Sequence, residues 1–191
     1  ARTRLMRYEY ARRPDLYDLE YSFKDYAVEV ERIEAIVRAR NPDARTLLDV
    51  ACGTGRHLEL LRERFETVEG VDADEGMLAV ARERLPGVAL HQGDMRTFDL
   101  GHEFDAVTCL FSSIGFAQDL AQLAAAAQRL AAHLTSGGVL VVEPWITPDE
   151  WRPSTPHVLS AEGAGVVLAR VTVSGRDGLH LVETARRRPR L

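Results

Sequence analysis

Two acids and two glycines in this chain are spaced to act on one ligand. Asp49, Gly53 and Gly55 fall within the run Thr46-Leu47-Leu48-Asp49-Val50-Ala51-Cys52-Gly53-Thr54-Gly55, and Asp72 follows downstream. The run opens on apolar residues (Leu47, Leu48, Val50) and passes into a stretch whose Leu58, Leu61 and Phe65 recur at helical spacing. Strand, glycine turn and helix together present backbone N–H groups to a nucleotide-like ligand at a helix N-terminus. Glycine suits the two places where a Cβ would obstruct a tight turn or a close ligand. No Gly-Lys-Ser/Thr follows, and the glycine spacing is not G-x-G-x-x-G, so neither phosphate-binding signature fits. An acid in the turn would repel a pyrophosphate and suits a cation.

This run resembles motif I of the class I S-adenosylmethionine-dependent methyltransferases. The resemblance implies that Asp72, ending the second strand, takes both ribose hydroxyls; taken alone, it also fits a solvated strand cap. Met77 can pack on the adenine face, although a Met at helical spacing also fits a core position. Asp94 can accept the adenine amine while the Met95 N–H reaches a ring nitrogen, and the rival reading of Gly93-Asp94 is a plain turn.

The elements that must position these residues read as alternating strands and helices. Residues 1–13 are basic and unpatterned, with Met6 a candidate start. Val30, Ile33 and Val37 recur at helical spacing until Asn41-Pro42-Asp43, so residues 1–45 read as an N-terminal helical lid. Strands are expected at 46–50, 67–71, 88–91, 104–111 and 139–142. Helices are expected at about 56–66, around Met77, Leu78, Ala81 and Leu85, and over 117–134 with Leu120, Leu123, Leu130 and Leu134 facing the core. This alternation predicts an α/β fold, a Rossmann-like doubly wound parallel sheet with 46–145 as the cofactor-binding core. Pro148, Pro153 and Pro156 then mark a loop, and 166–173 with 179–184 alternate around Ser174–Gly178 as an antiparallel hairpin, giving 146–185 as loop and hairpin. Residues 186–191 read as a solvated basic tail, and 1–191 as a single domain.

The 191 residues are long enough for a real core, and 46% apolar with 28% charged residues is ordinary for a globular protein. No run approaches the ~18 apolar residues of a membrane span, and no apolar signal region opens the chain. Cys52 and Cys109 sit at expected strand ends and suit a reducing cytosol, hence a cytoplasmic protein. The histidines show no metal-ligand pair. The net charge of −5 conceals a division: residues 1–13 hold five arginines and one acid, and residues 186–191 hold four arginines and no acid. Between them lie 15 basic and 28 acidic residues, a balance that argues against nucleic-acid binding.

A narrower resemblance rests on Asp15–Tyr26, His91-Gln92-Gly93-Asp94-Met95, Phe111-Ser112-Ser113-Ile114-Gly115 and Val141-Val142-Glu143-Pro144-Trp145. Together these are similar to the N,N-dimethyltransferases of nucleotide-linked (TDP) 3-amino-deoxysugars, which serve antibiotic biosynthesis. The resemblance covers about residues 6–145. It implies S-adenosylmethionine as cofactor and a homodimer with the hairpin as contact. It also implies cofactor contacts at Asp49, Gly53, Gly55, Asp72, Asp94 and Met95, with Tyr26 holding the methionine carboxylate and Tyr21 facing the acceptor amine. Ala51, Met77 and Phe111 complete the expected cofactor set, and Tyr17, Phe116 and Trp145 the acceptor set; Tyr17, Tyr21 and Tyr26 also fit a helix-packing stripe. Phe116 stands where the family often has Tyr or His, so a polar acceptor contact is absent. The family continues past the hairpin with a helix and two strands that this chain lacks. Other acceptors, or a non-catalytic S-adenosylmethionine-binding protein, are the alternatives.

Overall fold

A computed structural model describes residues 14–144, 156–163, 165–177 and 180–190. In chain order the elements are α1 (Pro14–Glu20), α2 (Tyr26–Arg38), β1 (Thr46–Val50), α3 (Arg56–Leu61), β2 (Thr67–Asp72), α4 (Glu75–Arg84), β3 (Ala89–Gln92), β4 (Phe104–Cys109), a 3₁₀ turn (Ser113–Phe116), α5 (Leu120–Ala131), β5 (Leu134–Val142), β6 (His157–Gly163), β7 (Val166–Asp177) and β8 (His180–Arg190). They divide into two compact units, Asp25–Trp145 and a second made of Ala1–Lys24 with Ile146–Leu191.

The first unit is the expected doubly wound sheet, ordered β3-β2-β1-β4-β5 with every neighbouring pair parallel. Its strands carry apolar residues on both faces because helices cover both. Leu47, Val68 and Ala106 join Val30, Ile33 and Val37 of α2, Leu58 and Leu61 of α3 and Leu78 of α4 in one cluster. Leu48, Val71 and Val107, each one or more residues out of phase, join Ile114 and, from α5, Ala126 and Leu130 on the other face. The order reverses between β1 and β4, which makes their carboxyl ends the switch point where such sheets bind ligands. Among the described residues no helix is long and apolar enough to cross a membrane.

Three details differ from the sequence reading. The alanine-rich helix is shorter, Leu120–Ala131, because Asp119 caps it by accepting from Gln122 N at 2.8 Å. Its core face is Ala126 and Leu130; Leu120 is 83% exposed and Leu123 39%, and Leu134 is the first residue of β5, opposite Phe104. Leu120 misses the core because it lies roughly 120° round the helix from Ala126. The expected lid is also divided: α2 is a core helix of the first unit, whereas α1 packs against β6 and β7, with Glu20 paired to Arg170. Finally, the expected antiparallel hairpin is present as β7 and β8, and β6 joins it as a third strand, in the order β6-β7-β8. Arg186 to Arg190 pair with Val171 to Val167, so the stretch read as a solvated tail continues a strand.

Candidate functional site at the sheet crest

The chain leaves β1 through backbone that few side chains tolerate. Ala51 has φ 62°, Gly53 58° and Gly55 79°. Cys52 N donates to Val71 O at 3.0 Å, which ties the turn to the tip of β2, and Gly55 N to Cys52 O at 3.0 Å, which closes the turn on itself. The two glycines differ in what requires them. A Cβ on Gly55 would meet Leu85 Cδ1 at 2.6 Å, so this glycine lets α3 close on the end of α4. A Cβ on Gly53 would meet nothing within 4 Å, so there the bare backbone faces open space.

Asp72 stands beside that space. Its Oδ2 accepts from Gly53 N at 2.8 Å and its Oδ1 from Asp74 N at 2.8 Å, so each oxygen retains a lone pair for an incoming hydroxyl. Burial raises the Asp72 carboxyl above its ordinary range, and the backbone N–H groups of Asp74, Gly53 and Ala73 pull it back in part. Asp49 is 2% exposed and accepts from Thr108 Oγ1 at 2.7 Å. Its carboxyl is pushed up to about 6, chiefly by burial, with His57 and Thr108 opposing and Asp72 reinforcing. The Asp72 charge adds to the cost of ionising Asp49, and a cation beside them would relieve both.

Next to them, Tyr26 is buried and lies edge-on to the His57 ring, 5.0 Å between centroids. His57 shares a 2.8 Å hydrogen bond with Glu29, and the Arg56 guanidinium lies 5.1 Å from the centre of the Tyr26 ring. At the tip of β3, Asp94 is both a turn residue and an ion-pair partner. Its Oδ1 accepts from Arg96 N (2.9 Å) and Nε (2.8 Å), and its Oδ2 from Arg96 Nη2. This fork holds the carboxyl below its usual range and leaves room on Oδ2 for one more donor. Met77 is buried at the start of α4, and Met95 packs against the cluster that holds Val71 and Phe98.

Past β4, Phe111 (φ 51°) and Ser112 (φ 57°) form a second left-handed stretch leading to the 3₁₀ turn and to Phe116, which is 48% exposed. The positive-φ non-glycine residues among the described residues are Ala51, Phe111 and Ser112. All three follow β1 or β4, the two strands that flank the switch point. Such strain persists where the surrounding structure over-determines it, and it clusters at active sites and ligand clamps.

The first unit thus gathers Tyr26, Asp49, Ala51, Gly53, Gly55, Asp72, Met77, Asp94, Met95, Phe111 and Phe116. Tyr17 and Tyr21 belong to the second unit, where their rings lie 4.8 Å apart and Arg170 Nη1 donates to the Tyr21 hydroxyl at 2.7 Å. Trp145 lies outside the described residues. Sequence reasoning missed Thr108, His57 and Arg96. A buried acid implies a donor, but nothing local says that the donor is 59 residues away.

S-adenosylmethionine fits this crest: the space beside Gly53 would be filled by a Cβ, and carboxylates suited to a cation and to hydroxyls border it. Residues 47–138 match a family model described as a methyltransferase domain. The chain is 48% identical over 166 residues to the dTDP-3-amino-3,6-dideoxy-alpha-D-glucopyranose N,N-dimethyltransferase of Streptomyces fradiae, covering 86% of this chain and 65% of that enzyme, just under two thirds of its length. It is 46% identical over 166 residues to the dTDP-3-amino-3,4,6-trideoxy-alpha-D-glucopyranose N,N-dimethyltransferase of Streptomyces venezuelae, covering 86% and 70%. Among solved structures it is similar to S-adenosylmethionine-bound CalS10, an amino pentose methyltransferase from Micromonospora echinaspora, with TM-score 0.80, 41% identity, and 91% and 80% of the two chains covered. On a matching methyltransferase domain, a shared fold and this degree of identity, the chain belongs to the class I S-adenosylmethionine-dependent methyltransferases.

Proposed function

We propose that this chain transfers methyl groups from S-adenosylmethionine to the amine of a nucleotide-linked amino-deoxysugar, of the 3-amino class on which its relatives are named. The observation that carries the reading is the open space at Gly53 beside the half-satisfied Asp72 carboxylate. When bound, S-adenosylmethionine supplies an activated methyl group. The chain's task is to hold and orient. Asp72 takes the ribose hydroxyls on its remaining lone pairs. Asp94 accepts the adenine amine, with Met77, Met95 and the Ala51 and Phe111 turns shaping the apolar walls. Asp49 supplies negative charge to a positively charged ligand. Tyr26, fixed between His57 and Arg56, takes the methionine carboxylate with the guanidinium as a ready partner.

On the acceptor side, Tyr21 is the proposed amine-facing residue, with Tyr17, Phe116 and Trp145 lining the sugar. The amine must arrive neutral, so a proton has to leave it before transfer. Its relatives' action on amino sugars, as their names state it, supports an amino-sugar acceptor over other small amines. The reading includes a homodimer joined through the antiparallel sheet, a cytoplasmic location and no role in binding nucleic acid.

The test is calorimetric titration of the 191-residue chain with S-adenosylhomocysteine, followed by labelled-methyl transfer to dTDP-3-amino-3,6-dideoxyglucose. Binding with transfer is expected. Binding without transfer to any amino sugar would point to another acceptor or a non-catalytic role. Absence of binding would overturn the reading.

A further inference from the structure

The left-handed pair after β4 needs something to hold it, since two successive non-glycine residues in this region are each strained. Within the turn, Ser113 N donates to Leu110 O at 3.1 Å and Gly115 N to Ser112 O at 2.9 Å, bonds that close the 3₁₀ turn but leave Phe111 N to be met from elsewhere. Glu143, the residue after β5, meets it. Phe111 N donates to Glu143 Oε2 at 2.7 Å. Glu143 is itself anchored, its N–H donating to Cys109 O at 3.0 Å and so extending the β4–β5 ladder by one bond. The next residue adds a second tie, Ser112 Oγ donating to Pro144 O at 3.2 Å. Side chain and backbone at the tip of β5 therefore clasp both left-handed residues at the tip of β4.

We infer that Glu143 is a positioning residue of the transfer reaction, a strut that holds Phe111 and Ser112 in their strained conformation beside the switch point. The inference rests on the methyltransferase reading above. Its chemistry is that of a hydrogen-bond acceptor of a particular length, and the negative charge is incidental. The neighbouring strand could have supplied a backbone carbonyl. A side chain on the adjacent strand end instead lets the turn be fixed without lengthening the sheet over the ligand.

Three variants of the 191-residue chain separate reach from charge. Glu143→Gln keeps the length and an acceptor oxygen but loses the charge. Glu143→Asp keeps the charge but retracts the carboxylate by roughly 1.5 Å, one carbon–carbon bond. Glu143→Ala removes both. A strut ranks them with Gln within about threefold of wild type and Asp beside Ala, about tenfold or more down in kcat/KM for dTDP-3-amino-3,6-dideoxyglucose, a factor equivalent to about 1.4 kcal/mol. A charge role ranks them the other way, with Asp above Gln, and that result overturns the inference. Amide hydrogen exchange over residues 110–117 supplies a readout independent of turnover. Protection should fall in Ala and Asp and persist in Gln, and equal protection in all four proteins overturns the strut even if wild type transfers no methyl to this acceptor. Failure of wild type to bind S-adenosylhomocysteine would instead strike the functional reading and leave the exchange test standing.

Discussion

Asp49→Asn should make this protein more stable and a poorer binder. The Asp49 carboxyl sits near 6 in the folded chain against an ordinary 3.8. Below pH 3.8 both folded and unfolded forms are protonated at this site, and it contributes nothing to pH dependence. As pH rises from about 4 to 6 the unfolded chain loses its proton while the folded chain keeps it. The unfolded state then binds fewer protons, so stability falls by about 1.4 kcal/mol per pH unit and levels off above 6. Across the roughly two-unit gap the anion costs about 3 kcal/mol at pH 7 to 8, a sizeable part of the roughly 5–15 kcal/mol that a domain has. Asparagine removes the charge and keeps an oxygen for the Thr108 hydroxyl. Its amide N–H₂ needs an acceptor that aspartate does not, so about 3 kcal/mol is the upper limit of the gain. Urea unfolding of both proteins at pH 5 and pH 8 measures it: the variant should lead at both, by about 1.5 kcal/mol more at pH 8. Calorimetry should show S-adenosylmethionine weakened about tenfold or more, and S-adenosylhomocysteine, neutral at sulfur, weakened less. A variant no more stable than wild type at pH 8 would refute the burial argument. Equal loss for both ligands would refute the electrostatic role.

The two crest glycines should respond in opposite ways to alanine. Gly55→Ala combines a left-handed Cβ with a 2.6 Å contact to Leu85 and should cost about 2–4 kcal/mol of stability, seen in urea unfolding. Gly53→Ala meets open space and should cost only about 1–2 kcal/mol while S-adenosylhomocysteine binding falls sharply; unchanged affinity there would remove the ligand from this turn. Asp72→Ala should mainly weaken cofactor binding in calorimetry, and equal affinity would contradict its assignment. Tyr21→Phe should lower turnover modestly in the labelled-methyl assay with little change in cofactor affinity; a loss of several orders of magnitude would give Tyr21 a larger role than that proposed. Asp105 is a control of the opposite sign: it accepts from Arg45 N, Thr46 N, Thr46 Oγ1 and Thr135 Oγ1, and these donors outweigh burial to hold its carboxyl below the usual range. Its stabilisation is present above about pH 4 and lost as pH falls through the lowered value, so Asp105→Ala should cost about 1–3 kcal/mol at pH 7 in urea unfolding and less at pH 3.

What was legible in the sequence follows from how local each signal is. The turn at 49–55 could be read because its acid and glycines are neighbours in the chain, and the parallel sheet because strands and helices alternate along it. The end of α5 could not, since alanine gives a helix no contrast between faces, and Leu134 fits a helix as readily as the strand it begins. Arg186 to Arg190 read as solvated because charge hid a strand whose pairing is dictated by β7. Tyr17, Tyr21 and Tyr26 looked like one stripe, yet Lys24 and Asp25 divide them between two units. Thr108 and Glu143 were invisible for a different reason: their partners lie 59 and 32 residues away and meet them only once the sheet is ordered.

The sheet treats its two ends by different rules, and that asymmetry is the strongest internal argument for where function lies. At the amino ends of β1, β4 and β5, Asp105 of β4 is satisfied by donors from the two strands that flank it, β1 and β5, and its ionised form is favoured. Toward the carboxyl ends, the buried Asp49 and the partly buried Asp72 are acids whose ionised form is disfavoured, and Ala51, Phe111 and Ser112 occupy strained backbone. A fold selected for stability alone would have no reason to place every one of these unfavourable features at one end of the same strands. On the proposed reading each would become favourable when a cationic nucleoside binds, because the charge would relieve the acids, the hydroxyls would take the lone pairs of Asp72 and the contacts would fix the turns. Binding should therefore stabilise this chain more than occupancy of an already relaxed pocket would, and S-adenosylmethionine should do so more than its neutral product.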